Sequence, residues 1–240
     1  MVDLKKAVES LHSAIYIKDF TTGEHSKRVS KLCHLIAKKL EYKSRILPIA
    51  GLLHDVGKIG ISDEILNKFG RLSETEYHII KRHSFLGSKV LEKIGNEELS
   101  KAVYRHHEKL DGSGYPLGVK ADRIPFDSQI ITVCDIFDAI TSCRPYLERR
   151  DIVDVIEILT KEEKHKINQD IVESLVSIDL SDLILVIEPH CKKECNVDKL
   201  IGHNLNSLYH PKVREDFNHF YLGGYLVDNF NKDMEDYFKT

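Results

Sequence analysis

The chain has 240 residues, enough for one substantial core and a small appendage, with 42% apolar residues, 30% charged residues and a formal net charge of -3. That balance gives no broad attraction for a nucleic acid polymer or an anionic membrane, and no apolar run reaches the length of a membrane span. The N-terminal stretch MVDLKKAVESLHSAIYIKDF is charged throughout and lacks a signal-peptide apolar segment, which predicts a cytoplasmic protein. The 5 cysteines are Cys33, Cys134, Cys143, Cys191 and Cys195; their odd number predicts reduced thiols over a disulfide framework. The figure that directs attention is the 13 histidines.

In chain order, Leu4, Val8, Leu11 and Ile15 repeat at helical spacing, as do Val29, Leu32, Cys33, Ile36, Ala37 and Leu40. Further helices are predicted near 74–94, 97–108, 127–142, 151–160 and 168–177. Ser73 with Glu76 forms a capping-box signature for one of them, and Asp127 precedes an apolar periodic run. Between Asp111 and Pro125, three glycines and two prolines predict an ordered loop. No period-two pattern of useful length precedes residue 180, so the expected fold is all-α.

The character changes after about residue 178. Leu183-Ile184-Leu185-Val186-Ile187 reads as a strand or a buried helix segment. An aromatic-rich tail follows, with Tyr209, Phe217, Phe220, Tyr221, Tyr225, Phe230, Tyr237 and Phe238, and it implies packing. We therefore divide the chain into a main domain, 1–177, and a C-terminal helical extension, 178–240. His190, Cys191, Cys195 and His203 lie close together, but their spacing matches no common zinc pattern and reads better as ordinary polar and small core residues.

Chemistry concentrates in seven residues, each beside an apolar stripe: His25, His54, Asp55, His83, His106, His107 and Asp135. Any one of them, taken alone, reads as an ordinary core or surface residue. Jointly they place imidazoles and carboxylates where core residues belong, which is costly without a neutralising partner. A nitrogen and oxygen ligand set suits iron, manganese or zinc in an open catalytic site, not a closed cysteine-rich zinc. Adjacent residues such as His54 and Asp55 do not share a helix face, so both reach inward only if a helix end lies against the site.

The stretch LLHDVGKIGISDEILNKFGRLSETEYHIIKRHSFLGSKVL (52–91) resembles the HD superfamily of metal phosphohydrolases. HHEKLDGSGYPLGVKADRIPFDSQIITVCDIFDAITSCRPY (106–146) resembles one branch of it, the HD-GYP domains, and KDFTTGEHSKRV (18–29) is similar to that family's entry helix. The resemblance spans about residues 10–177 and implies an all-α HD-type bundle with a prominent Gly-Tyr-Pro loop. It implies two divalent metal ions, iron or manganese, with Asp55 bridging. His25, His54 and Asp135 would hold one ion, and His83, His106 and His107 the other.

The implied activity is hydrolysis of cyclic di-GMP to the linear dinucleotide or GMP. Asp55 and Lys58 would be catalytic, and Lys58 and Arg144 would meet substrate. Gly114 and Tyr115 of the loop would also bind substrate, and the family associates that loop with docking of GGDEF-domain proteins. Asp138 is expected to orient a ligand or Arg28. Thr21 stands where some members have a glutamate for a third metal, so a binuclear centre is expected. Leu147 stands where a basic residue often follows Arg-Pro-Tyr, which predicts a weaker hold on substrate. The rival readings are the same chemistry on a hybrid cyclic dinucleotide or mononucleotide, and a non-catalytic module that binds nucleotide or a cyclase domain. Seven filled ligand positions favour the enzyme.

Overall fold

A computed structural model describes residues 4–142, 150–187 and 197–221. The described residues are helical and contain no strand; their one β-type pairing is an isolated bridge between Asp179 and Asn204. Helix α1 (Leu4–Lys18) leads into α2 (Phe20–Lys39), which starts where the Asp19 carboxylate accepts from the Thr21 and Thr22 amides. Its buried stripe, from His25 and Val29 through Leu32 and Cys33 to Ile36, makes α2 the central helix. Against it pack α1, α3 (Leu47–Leu53) and α8 (Phe126–Thr141), and later α10 (Gln169–Val176) and α11 (Leu180–Ile187).

The helix predicted over 74–94 is two helices. Short α4 (Asp63–Leu66) precedes α5 (Glu74–Lys81), whose N-terminus carries the capping box expected of Ser73 and Glu76. The chain breaks at Arg82, where the amide bonds the Ile79 carbonyl three residues back, and α6 (His83–Glu92) starts on a new axis. The helix predicted over 97–108 stops early, as α7 (Glu97–Tyr104), leaving His106 and His107 beyond its end. Asp127 lies inside the first turn of α8, and Pro125 is the residue that precedes the helix. The stretch 151–160 becomes α9 (Ile152–Glu157) followed by a π-helical turn over Ile158–Glu162. Leu183–Ile187 is helical, as part of α11.

One hydrophobic cluster runs from Val8 to Tyr221. Residues 197–221, ending in α12 (Pro211–Tyr221), join it through Leu200, Leu205, Leu208, Phe217 and Tyr221. The Tyr221 hydroxyl reaches the carbonyl oxygens of Thr141 (3.2 Å) and Arg150 (3.0 Å), and Arg214 pairs with Asp151. Cys33 and Cys134 are buried free thiols. His203 uses its backbone carbonyl to accept from the Leu180 amide at 2.8 Å. Cys143, His190, Cys191 and Cys195 lie outside the described residues. Among the described residues no helix is long and apolar enough to cross a membrane.

Candidate metal centre

All seven singled-out histidines and aspartates converge, and helix ends are what allow it. α3 stops at Leu53, so His54 and Asp55 leave the helix together and both turn inward. α7 stops before His106 and His107, which do the same. His83 opens α6, while His25 and Asp135 come from inside α2 and α8. The 3-10 turn Val56–Gly60 then runs so close to α6 that a Cβ on Gly57 would sit 1.9 Å from the His83 carbonyl oxygen. Only glycine fits there.

The geometry groups the side chains around Asp55. Its Oδ1 lies 3.3 Å from His83 Nε2, while its Oδ2 lies 3.4 Å from His54 Nε2 and 3.9 Å from His25 Nε2. On one side, His83 Nε2 faces His106 Nε2 at 3.3 Å and His107 Nε2 at 3.1 Å. On the other, Asp135 Oδ1 lies 3.0 Å from His25 Nε2 and 3.9 Å from His54 Nε2. Three sets have ligand atoms close enough to share an ion: His83/His106/His107, His25/His54/Asp55 and His54/His106/Asp135.

The hydrogen bonds behind the rings decide how the set is charged. His54, His83 and His106 each direct Nδ1 at the carbonyl three residues back, on Gly51 (2.8 Å), Ile80 (2.7 Å) and Val103 (2.6 Å). Those acceptors assign the protons to Nδ1 and turn three Nε2 lone pairs into the cavity. His83 and His106 thus set two lone pairs against each other at 3.3 Å, and the buried His54 Nε2 has no hydrogen-bond partner. Buried acceptors so arranged call for a cation. Burial, then the neighbouring imidazoles His54 and His83, hold His106 down at about 3. Burial likewise lowers His83, and burial with His106 lowers His107, so all three rings are neutral at neutral pH.

His25 is the exception. Burial opposes its charge, but hydrogen bonds to Asp135 and Asp138 outweigh it and lift the group to about 9. Asp138 is fully buried and takes His25 Nδ1 at 2.7 Å, Arg28 Nε at 2.7 Å and Arg28 Nη2 at 3.0 Å. Asp138 thus reaches both of the alternatives expected of it, the proposed ligand His25 and Arg28. Asp55 is held well below the usual carboxylate range: burial works against this, but Lys58 and the surrounding histidines prevail. Lys58 Nζ lies 2.6 Å from Asp55 Oδ2, with the side chain only 23% exposed, so it is no surface lysine.

The loop closes one wall. Tyr115 stacks on His107, with ring centroids 4.6 Å apart and planes 27° from parallel, and its peptide bond to Pro116 is cis. A Cβ on Gly114 would meet the His107 carbonyl oxygen and the Lys109 nitrogen at 2.4 Å, so Gly114 serves close backbone packing behind the site. The sequence did not single out Glu108, which is buried and receives the amides of Leu117 (2.6 Å) and Val119 (3.0 Å), tying the loop down. Its only sequence signal is a carboxylate directly after the histidine pair. Arg144, with Leu147 and Arg149, lies outside the described residues.

The donor set, with neutral His83, His106 and His107, His25 held against ionised carboxylates, and the unsatisfied inward nitrogen of His54, fits divalent metal ions. Comparison with known proteins agrees: the family model described as HD domain matches residues 9–171. This chain belongs to the HD-domain family. All seven site residues fall within the matched span. The chain is 39% identical over 150 residues to the cyclic di-GMP phosphodiesterase response regulator RpfG of Xanthomonas campestris pv. campestris, covering 60% of this chain and 40% of that protein. It is 44% identical over 129 residues to the 3'3'-cGAMP-specific phosphodiesterase 3 of Vibrio cholerae serotype O1, covering 52% of this chain and 28% of that protein. The chain thus spans well under half the length of these relatives. The HD domain of the Listeria monocytogenes phosphodiesterase PgpH shares the fold, with a TM-score of 0.52 and 16% identity, covering 83% of this chain and 99% of that one.

Proposed function

We propose that this HD-domain chain is a metal-dependent phosphodiesterase that hydrolyses a cyclic dinucleotide, cyclic di-GMP first. The observation that carries the reading is Asp55: its two oxygens face two different ligand clusters, the arrangement a carboxylate needs to bridge two ions. We assign His25, His54 and Asp135 to one ion and His83, His106 and His107 to the other, with iron or manganese as the metal. Thr21, in place of a further carboxylate, argues for two ions and not three.

When bound there, a pair of divalent ions would supply a nucleophilic water at neutral pH and neutralise the phosphate oxygens. The chain's own residues do the rest. The carbonyls behind His54, His83 and His106 keep those rings in the Nδ1–H form, with Nε2 available. Asp138 and Arg28 fix the His25 ring from behind. Lys58 is poised beside Asp55 to turn its ammonium toward a phosphate oxygen as charge builds there. Tyr115 walls the site from water on the His107 side. Arg144 is proposed as a further substrate cation and Gly114 as part of the binding loop, which also offers a surface for GGDEF-domain proteins. We take 1–177 as the catalytic unit and 178–240 as an extension that braces it through Tyr221.

The likeness to a 3'3'-cGAMP phosphodiesterase makes the hybrid cyclic dinucleotide the second substrate reading. The test is elemental analysis of anaerobically purified protein, then product analysis with cyclic di-GMP and 3'3'-cGAMP. Two ions per chain and release of linear dinucleotide or mononucleotide are expected. Turnover of neither dinucleotide by the metal-loaded protein would leave a binding module instead.

A further inference from the structure

The wall of the site continues outward from Tyr115 to a cation that the chemistry above does not use. Lys81 ends α5, two residues before His83, and its ammonium lies 4.4 Å from the centroid of the Tyr77 ring and 5.1 Å from that of Tyr115. Tyr77 sits four residues earlier on the same helix, so its ring stacks beneath the lysine stem. Nearby lysines are neutralised: Lys58 by Asp55, Lys68 by Glu76, Lys89 by Glu92. Among the described residues no carboxylate pairs with Lys81. Two aromatic faces hold its position and leave its N–H donors unspent, which is how a site keeps a cation ready for an anion.

Where it stands decides which anion. Lys58 already occupies the reacting end, against Asp55. Lys81 and the imidazole cluster share the Tyr115 ring as a neighbour: its centroid is 5.1 Å from the Lys81 ammonium and 4.6 Å from that of His107. With Lys58 taking the reacting phosphate, an anion touching Lys81 is a second group of the same small molecule. A cyclic dinucleotide carries two phosphodiesters in one small ring.

We propose that Lys81, held between Tyr77 and Tyr115, binds the second phosphate of a cyclic dinucleotide, the one not being cleaved. The assignment rests on the cyclic-dinucleotide reading and makes no choice between guanine and adenine. It predicts that two-phosphate substrates gain from Lys81 and single-phosphate esters do not.

The experiment compares metal-loaded full chain with Lys81→Met and Lys81→Arg. Lys81→Met should raise KM for cyclic di-GMP, and Kd for its non-hydrolysable phosphorothioate analogue, by about tenfold, with kcat changed by less than about twofold. Lys81→Arg should restore most of the loss. For bis(p-nitrophenyl) phosphate, which has one phosphate, KM should move by less than about twofold. KM and Kd for the dinucleotide unmoved by Lys81→Met, an equal rise for both substrates, or a fall confined to kcat would each overturn the role of Lys81 and leave the substrate reading standing. Wild-type protein that cleaves bis(p-nitrophenyl) phosphate but neither binds nor cleaves any cyclic dinucleotide would overturn the substrate reading, and the assignment with it.

Discussion

The two flanks of Asp55 are built from different materials. On one flank His83, His106 and His107 are neutral rings, two of them fixed only by backbone carbonyls. On the other, His25 and His54 stand with Asp135, and behind His25 lies the ion pair of Asp138 and Arg28, hydrogen-bonded to Ser142. The first flank has Asp55 as its nearest carboxylate, with Asp135 3.9 Å from His107. The second brings its own carboxylate and a buried ionic network, which loses most when one member is removed. The comparison teaches that one fold brings together two ligand clusters of unlike charge, so, if each holds an ion as proposed, damage should be separable by flank.

The largest effect should come from the residue both flanks share. Asp55→Ala should lower hydrolysis by on the order of 10³-fold or more and empty both positions, with the helical circular dichroism largely kept, because the apolar cluster does the folding. Retention of one full equivalent of metal would show that the flanks do not share it.

Asp138→Asn should sharpen the contrast. It touches only the carboxylate flank, so one of two metal equivalents should weaken by about 10–100-fold while the other stays tight. Equal weakening of both in a metal titration would break the comparison.

The smallest effect is in the pH dependence of metal-free stability. His106 has a folded-state pKa of about 3, below its unfolded value of about 6.5, so the unfolded chain binds protons that the folded one refuses. Stability should therefore fall as pH drops below about 6.5, by roughly 2 kcal/mol at pH 5 from this group alone at 1.36 kcal/mol per unit. His83 and His107, shifted in the same direction, add to it. His25 works oppositely: its contribution is complete below about 6.5 and is lost as pH rises toward about 9. Denaturant titrations of chelated protein should thus show a maximum near pH 6.5, and a flat profile from 5 to 9 would contradict the charge assignments.

Sequence by itself determined the helical class, the seven polar residues on apolar stripes, the capping box at Ser73 and the Gly-rich loop. Each is local: a helical period or a cap is written within a turn or two of chain. Tertiary structure decided the breaks at Arg82 and after Tyr104, which apolar periodicity does not mark, because inward demand on His83, His106 and His107 outweighs continuing a ladder. It decided whether Leu183–Ile187 is strand or helix, a choice that a short apolar run leaves open. It alone revealed Glu108 under the loop and Lys81 between two rings, since both depend on which backbone amides and aromatic faces meet across dozens of residues or across a loop. And it set the unlike charge of the two flanks: His25 and His106 are the same residue type, and only the buried carboxylates beside one and the imidazoles beside the other drive their proton affinities apart.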